Sequence, residues 1–149
     1  MSVNEKMRNE IGMKLGSHLT FSGQCETAFR FYEQCFGGSI VTMLTYGHSP
    51  IAEQVPGDWR EKIVHAALTV GDTELTGVDL LPKDYETPKG FYVLLNIDTS
   101  AETERIFREL SEKGTVKMPI QETFWSVRFG IVVDPFGIPW EINCIAPRQ

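Results

Sequence analysis

Three histidines, three cysteines and two short acidic strand segments are the places where this chain could do chemistry. The acidic segments are Glu74-Leu75-Thr76 and Glu141-Ile142-Asn143, each just after a hairpin turn signal. His18 lies in a stretch that alternates Leu19 and Phe21 against His18 and Thr20, which puts the imidazole on the wetter face of a half-buried strand. His65 opens another strand without a partner at a telling spacing and reads as an ordinary strand histidine; His48 sits in a loop and reads as solvated. Cys25 and Cys35 fall on the apolar stripe of a helix, where a thiol packs as a small hydrophobe. With Cys144 the count is odd and no CxxC pair exists. That argues against a disulfide framework and a thiolate zinc site, and fits a reducing, cytoplasmic compartment. Phe124 and Trp125 precede a strand, where the pair either stacks on a planar ligand at a cavity mouth or fills core. Trp140 alternates with Glu141 and is expected against a helix, Phe136 with it, and Asp79 at water or a cavity rim.

The elements that must position these residues come twice in the same order. Ser17 to Ser22 reads as a strand. Cys25, Ala28, Phe29, Tyr32, Cys35 and Phe36 then form one helical stripe, stopped by Gly37-Gly38. Strands follow at Ser39 to Tyr46, Ile63 to Val70 and Thr73 to Val78, with a loop from about His48 to Arg60 and a tight turn at Gly71-Asp72. In the second half Phe91 to Ile97 reads as a strand, and Thr99 with Glu102 as a capping box. Ile106, Phe107 and Leu110 supply the buried stripe, with Glu104–Arg108 and Glu109–Lys113 as supporting pairs. Thr115 to Gln121, Trp125 to Val133 and Ile138 to Cys144 read as strands, the last two joined by the turn Asp134-Pro135-Phe136-Gly137. The fold expected is α+β: two βαβββ modules, 17–80 and 90–145, in one domain spanning 17–149, behind a flexible arm at 1–16.

At 149 residues and 42% hydrophobic, the chain is long and apolar enough for one real core. A net charge of −6 argues against a nucleic-acid surface. No apolar run reaches membrane-helix length, and the charged start lacks the apolar stretch of a signal peptide.

The run from His18 through Glu26-Thr-Ala-Phe-Arg-Phe-Tyr32 to Phe36-Gly37-Gly38 resembles the opening of the vicinal oxygen chelate superfamily, which includes glyoxalases, dioxygenases and bleomycin-resistance proteins. Gln121 to Trp125, Phe129-Gly130 and Asp134 to Cys144 are similar to its PhnB-like branch, often labelled demethylubiquinone methyltransferase-like. The resemblance covers about His18 to Cys144. It implies paired βαβββ modules whose sheets curl around a small-molecule cavity, usually in a homodimer. It also implies four cavity positions that hold a divalent metal in the superfamily's metalloenzymes. Carried over, these fall on His18, Glu74, Tyr92 and Glu141, with Leu19, Leu75, Val93 and Ile142 turned to the helices. His18, Glu74 and Glu141 would hold zinc, nickel, manganese or iron. Tyr92 departs from the pattern, because a neutral phenol is a poor ligand.

Two main readings follow. In one, the chain is a metal-dependent isomerase, lyase, dioxygenase or thiol transferase, with Tyr92 and Glu141 as catalytic groups. In the other, it is a metal-free binding protein whose ligand meets Thr20, Thr76, Tyr92, Phe124 and Trp125. A dimer without ligand is a third possibility. Methyl transfer is not expected, since Gly37-Gly38 follows a helix where a nucleotide-type cofactor loop would precede one.

Overall fold

The computed structural model describes residues 2–4 and 12–145. Of the expected arm, residues 1 and 5–11 lie outside the described residues. Module one runs β1 (Ser17–Phe21), α1 (Cys25–Phe36), β2 (Ser39–Thr45), β3 (Ile63–Val70) and β4 (Thr73–Asp79). Module two runs β5 (Val93–Ile97), α2 (Ser100–Ser111), β6 (Thr115–Gln121), β7 (Phe129–Val133) and β8 (Pro139–Cys144). The sheets have orders β1-β4-β3-β2 and β5-β8-β7-β6, with β1·β4 and β5·β8 parallel and the other pairs antiparallel. This is the duplicated α+β fold expected. Trp125 is the main local difference: it lies in an irregular stretch, and β7 begins only at Phe129.

Local chemistry explains the boundaries. Gly71 takes φ 59° in the two-residue β3–β4 turn, a conformation that suits glycine. Thr99 caps α2 by accepting from the Glu102 amide at 3.2 Å. The first residue before α1, Gln24, offers no such cap. Asp79 substitutes for it from β4. Its buried carboxylate accepts from the amides of Gly23 (2.8 Å), Cys25 (3.0 Å) and Ile63 (2.9 Å). A negative charge at a helix start is favourable, and it satisfies donors that would otherwise be orphaned. Asp79 is therefore a buried brace and not a rim residue.

The ion pairs on α2 also differ from the simple i,i+4 expectation. Arg105 pairs with Glu102 and Glu109, while Glu104 reaches Arg128 outside the helix. Arg105 also donates to the Cys35 carbonyl at 3.0 Å, tying α2 to the end of α1.

One apolar cluster unites both modules. Tyr32 of α1 packs edge-on to Trp140 of β8 with centroids 5.4 Å apart, and Phe36 does so at 5.2 Å. Phe136 meets Phe31 and Tyr32 at 5.8 and 6.2 Å. Asp134 sits at the centre of this contact. Its Oδ1 accepts from the Phe136 and Ile138 amides, and its Oδ2 from Trp140 Nε1 at 2.9 Å and from the Tyr32 hydroxyl. Burial and the adjacent Asp134 charge hold the Tyr32 phenol well above its usual pKa, so it stays a donor.

Candidate functional site

Strand alternation divides each sheet into a helix face and an outer face. Leu19, Leu75 and Ile142 are buried on the helix face and Val93 packs against the same core, as expected. His18, Thr20, Glu74 and Thr76 take the opposite alternation in module one, as Leu94, Asn96, Glu141 and Asn143 do in module two.

Register then decides which residues correspond. Phe21 pairs with Asp79 and accepts from the Leu80 amide; Ile97 pairs with Cys144 and accepts from the Ile145 amide. Counting back from these matching ends, His18 lies opposite Thr76 and Leu94 lies opposite Glu141. The module-two counterpart of His18 is thus Leu94, and the module-one counterpart of Glu141 is Thr76. Tyr92 lies one residue before β5 and is 47% exposed, and Glu74 lies exposed beside the hairpin, two residues before Thr76.

His18 Nδ1 lies 2.7 Å from Thr76 Oγ1, whose hydroxyl is 3.4 Å from the Ser17 carbonyl. The hydroxyl has one hydrogen, so both contacts form together only when Nδ1 carries a hydrogen and Nε2 is the free acceptor. Partial burial, then the nearby His65, lowers the pKa of His18 and keeps it neutral at pH 7. His65 is thus a neighbour of the site, which its lone place in the sequence did not indicate.

Two open clefts meet at His18. One, of about 870 Å³, is walled by Thr20, Leu80, Phe91 and Ile138, with Asp84 and Glu86 beside them. The other, of about 810 Å³, reaches Glu74 and Thr76. Neither includes Glu141, Tyr92, Phe124 or Trp125. On module two, Phe129 lies opposite Asn143, which donates to Asn96 Oδ1 at 2.9 Å. Trp125 stands edge-on to Phe129 at 5.3 Å and Phe124 edge-on to Trp125 at 4.6 Å. The aromatic pair is therefore not core: Phe124 is 87% and Trp125 55% exposed. Cys25 and Cys35 are buried, and burial pushes the Cys35 thiol up to about 12, which makes it inert at neutral pH.

Residues 14–142 match the family model described as the Glyoxalase/Bleomycin resistance protein/Dioxygenase superfamily. The chain belongs to this superfamily. Protein YjdN of Escherichia coli strain K12 is 30% identical over 141 residues, 89% of this chain and 96% of that protein. Among solved structures, protein PA1353 from Pseudomonas aeruginosa is 42% identical with a TM-score of 0.83, covering 91% of this chain and 100% of that one. A Bacillus cereus protein named as a putative 3-demethylubiquinone-9 3-methyltransferase, PhnB protein, is 25% identical with a TM-score of 0.75, covering 89% and 99%. The glyoxalase-superfamily fold and the likeness to a PhnB protein agree with the motifs at His18–Gly38 and Gln121–Cys144.

Members of the superfamily often use a metal, so the donor set needs testing against one. By register, the four matched outer-face positions are His18, Thr76, Leu94 and Glu141. That is one imidazole, one carboxylate, one neutral hydroxyl and one hydrocarbon. Zinc and similar ions take three or more protein N, O or S donors. Among the described residues no group of three His, Cys, Asp or Glu side chains comes close enough to hold an ion. The residues present do not fit a resident metal.

Proposed function

We propose that this chain is a metal-independent small-molecule-binding member of the glyoxalase superfamily, acting as a homodimer. The observation that carries this reading is the register that puts Leu94 and Thr76 at two of the four matched positions. A metal-dependent isomerase, lyase, dioxygenase or thiol transferase would need donors there. The ligand-facing residues are His18, Thr20, Thr76 and Glu141, with Phe124 and Trp125 as stacking surfaces; Tyr92 lines the approach. Methyl transfer is disfavoured because neither strand-to-helix connection carries a glycine-rich loop.

Dimerisation is supported by apolar side chains left wet on the single chain, including Val41 at 57%, Leu94 at 52% and Phe91 at 51% exposure. Three buried, unpaired cysteines support a cytoplasmic setting. No described helix is long and apolar enough to cross a membrane.

Metal analysis of untagged protein by mass spectrometry should find far less than one ion per chain. Zinc, nickel, manganese and iron should leave the melting temperature unchanged, because only ligands that prefer the native state raise it. Stoichiometric metal that disappears in Glu141→Ala would overturn the reading. In the same preparation, light scattering should give twice the chain mass, and a monomer at micromolar concentration would remove the dimer.

A further inference from the structure

We propose that Thr76 fixes the tautomer of His18, so that the cleft of module one presents a hydrogen-bond acceptor and takes neutral ligands that donate an O–H or N–H. This rests on the reading above, that the protein takes a small molecule without a metal.

His18 and Thr76 are direct partners across the parallel β1·β4 ladder. Threonine is β-branched and has few side-chain rotamers, so the strand register sets where its hydroxyl lies. That hydroxyl stands 2.7 Å from His18 Nδ1 and 3.4 Å from the Ser17 carbonyl oxygen. A carbonyl only accepts, so the single hydroxyl hydrogen goes to it, and Thr76 meets Nδ1 with a lone pair. Nδ1 then carries the ring hydrogen. Nε2 keeps a lone pair and makes no hydrogen bond among the described residues. The bond made by one imidazole nitrogen thus decides what the other can do. Module two has no such device: its matched pair is Leu94 opposite Glu141.

The His18 side chain lines both open clefts, which makes that lone pair available to a bound molecule. A carbonyl or ether oxygen brought to Nε2 would set two acceptors against each other. An O–H or N–H closes the hydrogen bond instead. The other charged groups lining the larger cleft lean the same way. Asp84 and Glu86 only accept, against Lys89, which only donates. Two carboxylates to one ammonium also disfavour an anion. Leu80 and Phe91, whose ring is 51% exposed, supply an apolar wall for the rest of the ligand.

The tautomer can be read directly by long-range proton–nitrogen NMR on the full chain at about pH 8, above the ordinary imidazole range. The His18 ring, identified by its loss in His18→Leu, should carry its hydrogen on Nδ1. Thr76→Val should move that hydrogen to Nε2, and Thr76→Ser should restore it. The ligand class is read with para-cresol and its methyl ether, which share a ring and differ by one donor. The ether is the more apolar, so burial alone would favour it. NMR titration should find para-cresol bound about three- to tenfold more tightly. His18→Leu and Thr76→Val should each abolish that preference with the circular dichroism unchanged, and Thr76→Ser should keep it. A wild-type ring with its hydrogen on Nε2, equal or reversed affinities, no para-cresol binding up to about 10 mM, or a preference that survives Thr76→Val would overturn the proposal. Equal affinities leave metal-free binding standing, whereas stoichiometric metal removes the reading beneath.

Discussion

Replacing Asp134 with alanine is expected to cost about 3–5 kcal/mol of folding stability, measured as a shift in the urea midpoint at constant slope. Asp134 is 3% exposed and accepts from four donors at once: two turn amides, the Trp140 indole and the Tyr32 hydroxyl. A hydrogen bond to a charged acceptor contributes more than a neutral one, and a buried donor left alone costs about 1–3 kcal/mol. The four losses are coupled through one carboxylate, so the total falls well below their sum. Tyr32→Phe provides the control. It removes one donor and leaves the carboxylate three others, so it should cost only about 1–1.5 kcal/mol. Tyr32 belongs to module one and Asp134 to module two, so the pair tests whether the modules unfold together. A single transition that moves to lower urea in Asp134→Ala is expected. A cost under about 1 kcal/mol, or two separate transitions in the wild type, would show that Asp134 is not what couples the halves.

The residues that make this brace were partly legible beforehand. Turn chemistry marked Asp134 to Gly137, and alternation turned Trp140 toward a helix. The helical stripe from Cys25 to Phe36 matched α1 residue for residue, because six apolar positions and a glycine stop leave little freedom. That the partner of Asp134 is Tyr32, 102 residues away, was not legible. Local pattern identifies buried faces, not which buried face meets which.

The site shows the same division more sharply. Alternation has a period of two, so it sorts Glu74 and Thr76 onto one face, and Tyr92 and Leu94 likewise, without choosing within either pair. Matching the two halves by their helical stripes does not choose either, since a stripe recurs every three or four residues. The connections also differ: three residues separate β1 from α1, and two separate β5 from α2. The β1·β4 and β5·β8 hydrogen-bond ladders do choose between the modules: they set Thr76 at the place that corresponds to Glu141 and Leu94 at the place that corresponds to His18. His18 and Glu141, each already placed on the outer face by alternation, needed no such choice. Asn143 stands two residues after Glu141 and shares its face by the same rule, and Asn96 lies opposite it on β5.

Gly130→Ala should lower stability by about 2–3 kcal/mol, at the upper end of what overpacking a core costs. A Cβ at this position would stand 2.5 Å from Cε2 of Phe107 and 3.0 Å from two further ring atoms. The ring cannot yield cheaply. Phe107 lies in the middle of α2 and is 7% exposed, inside a cluster with Ile106, Leu110, Val132 and Ile142. Either α2 lifts from the sheet or β7 bows outward, and each breaks packing elsewhere. Module one solves the same problem on β4, where a Cβ added to Gly77 would stand 2.6 Å from the Phe29 ring. One helix aromatic seated on a bare strand position is thus a device used in both halves. The decisive measurement is a double-mutant cycle. Phe107→Leu alone loses contacts and should cost about 1 kcal/mol, yet combined with Gly130→Ala the total should be less than the sum, because the smaller side chain makes room for the methyl group. Strict additivity, or a neutral Gly130→Ala, would mean that α2 is not seated through this contact.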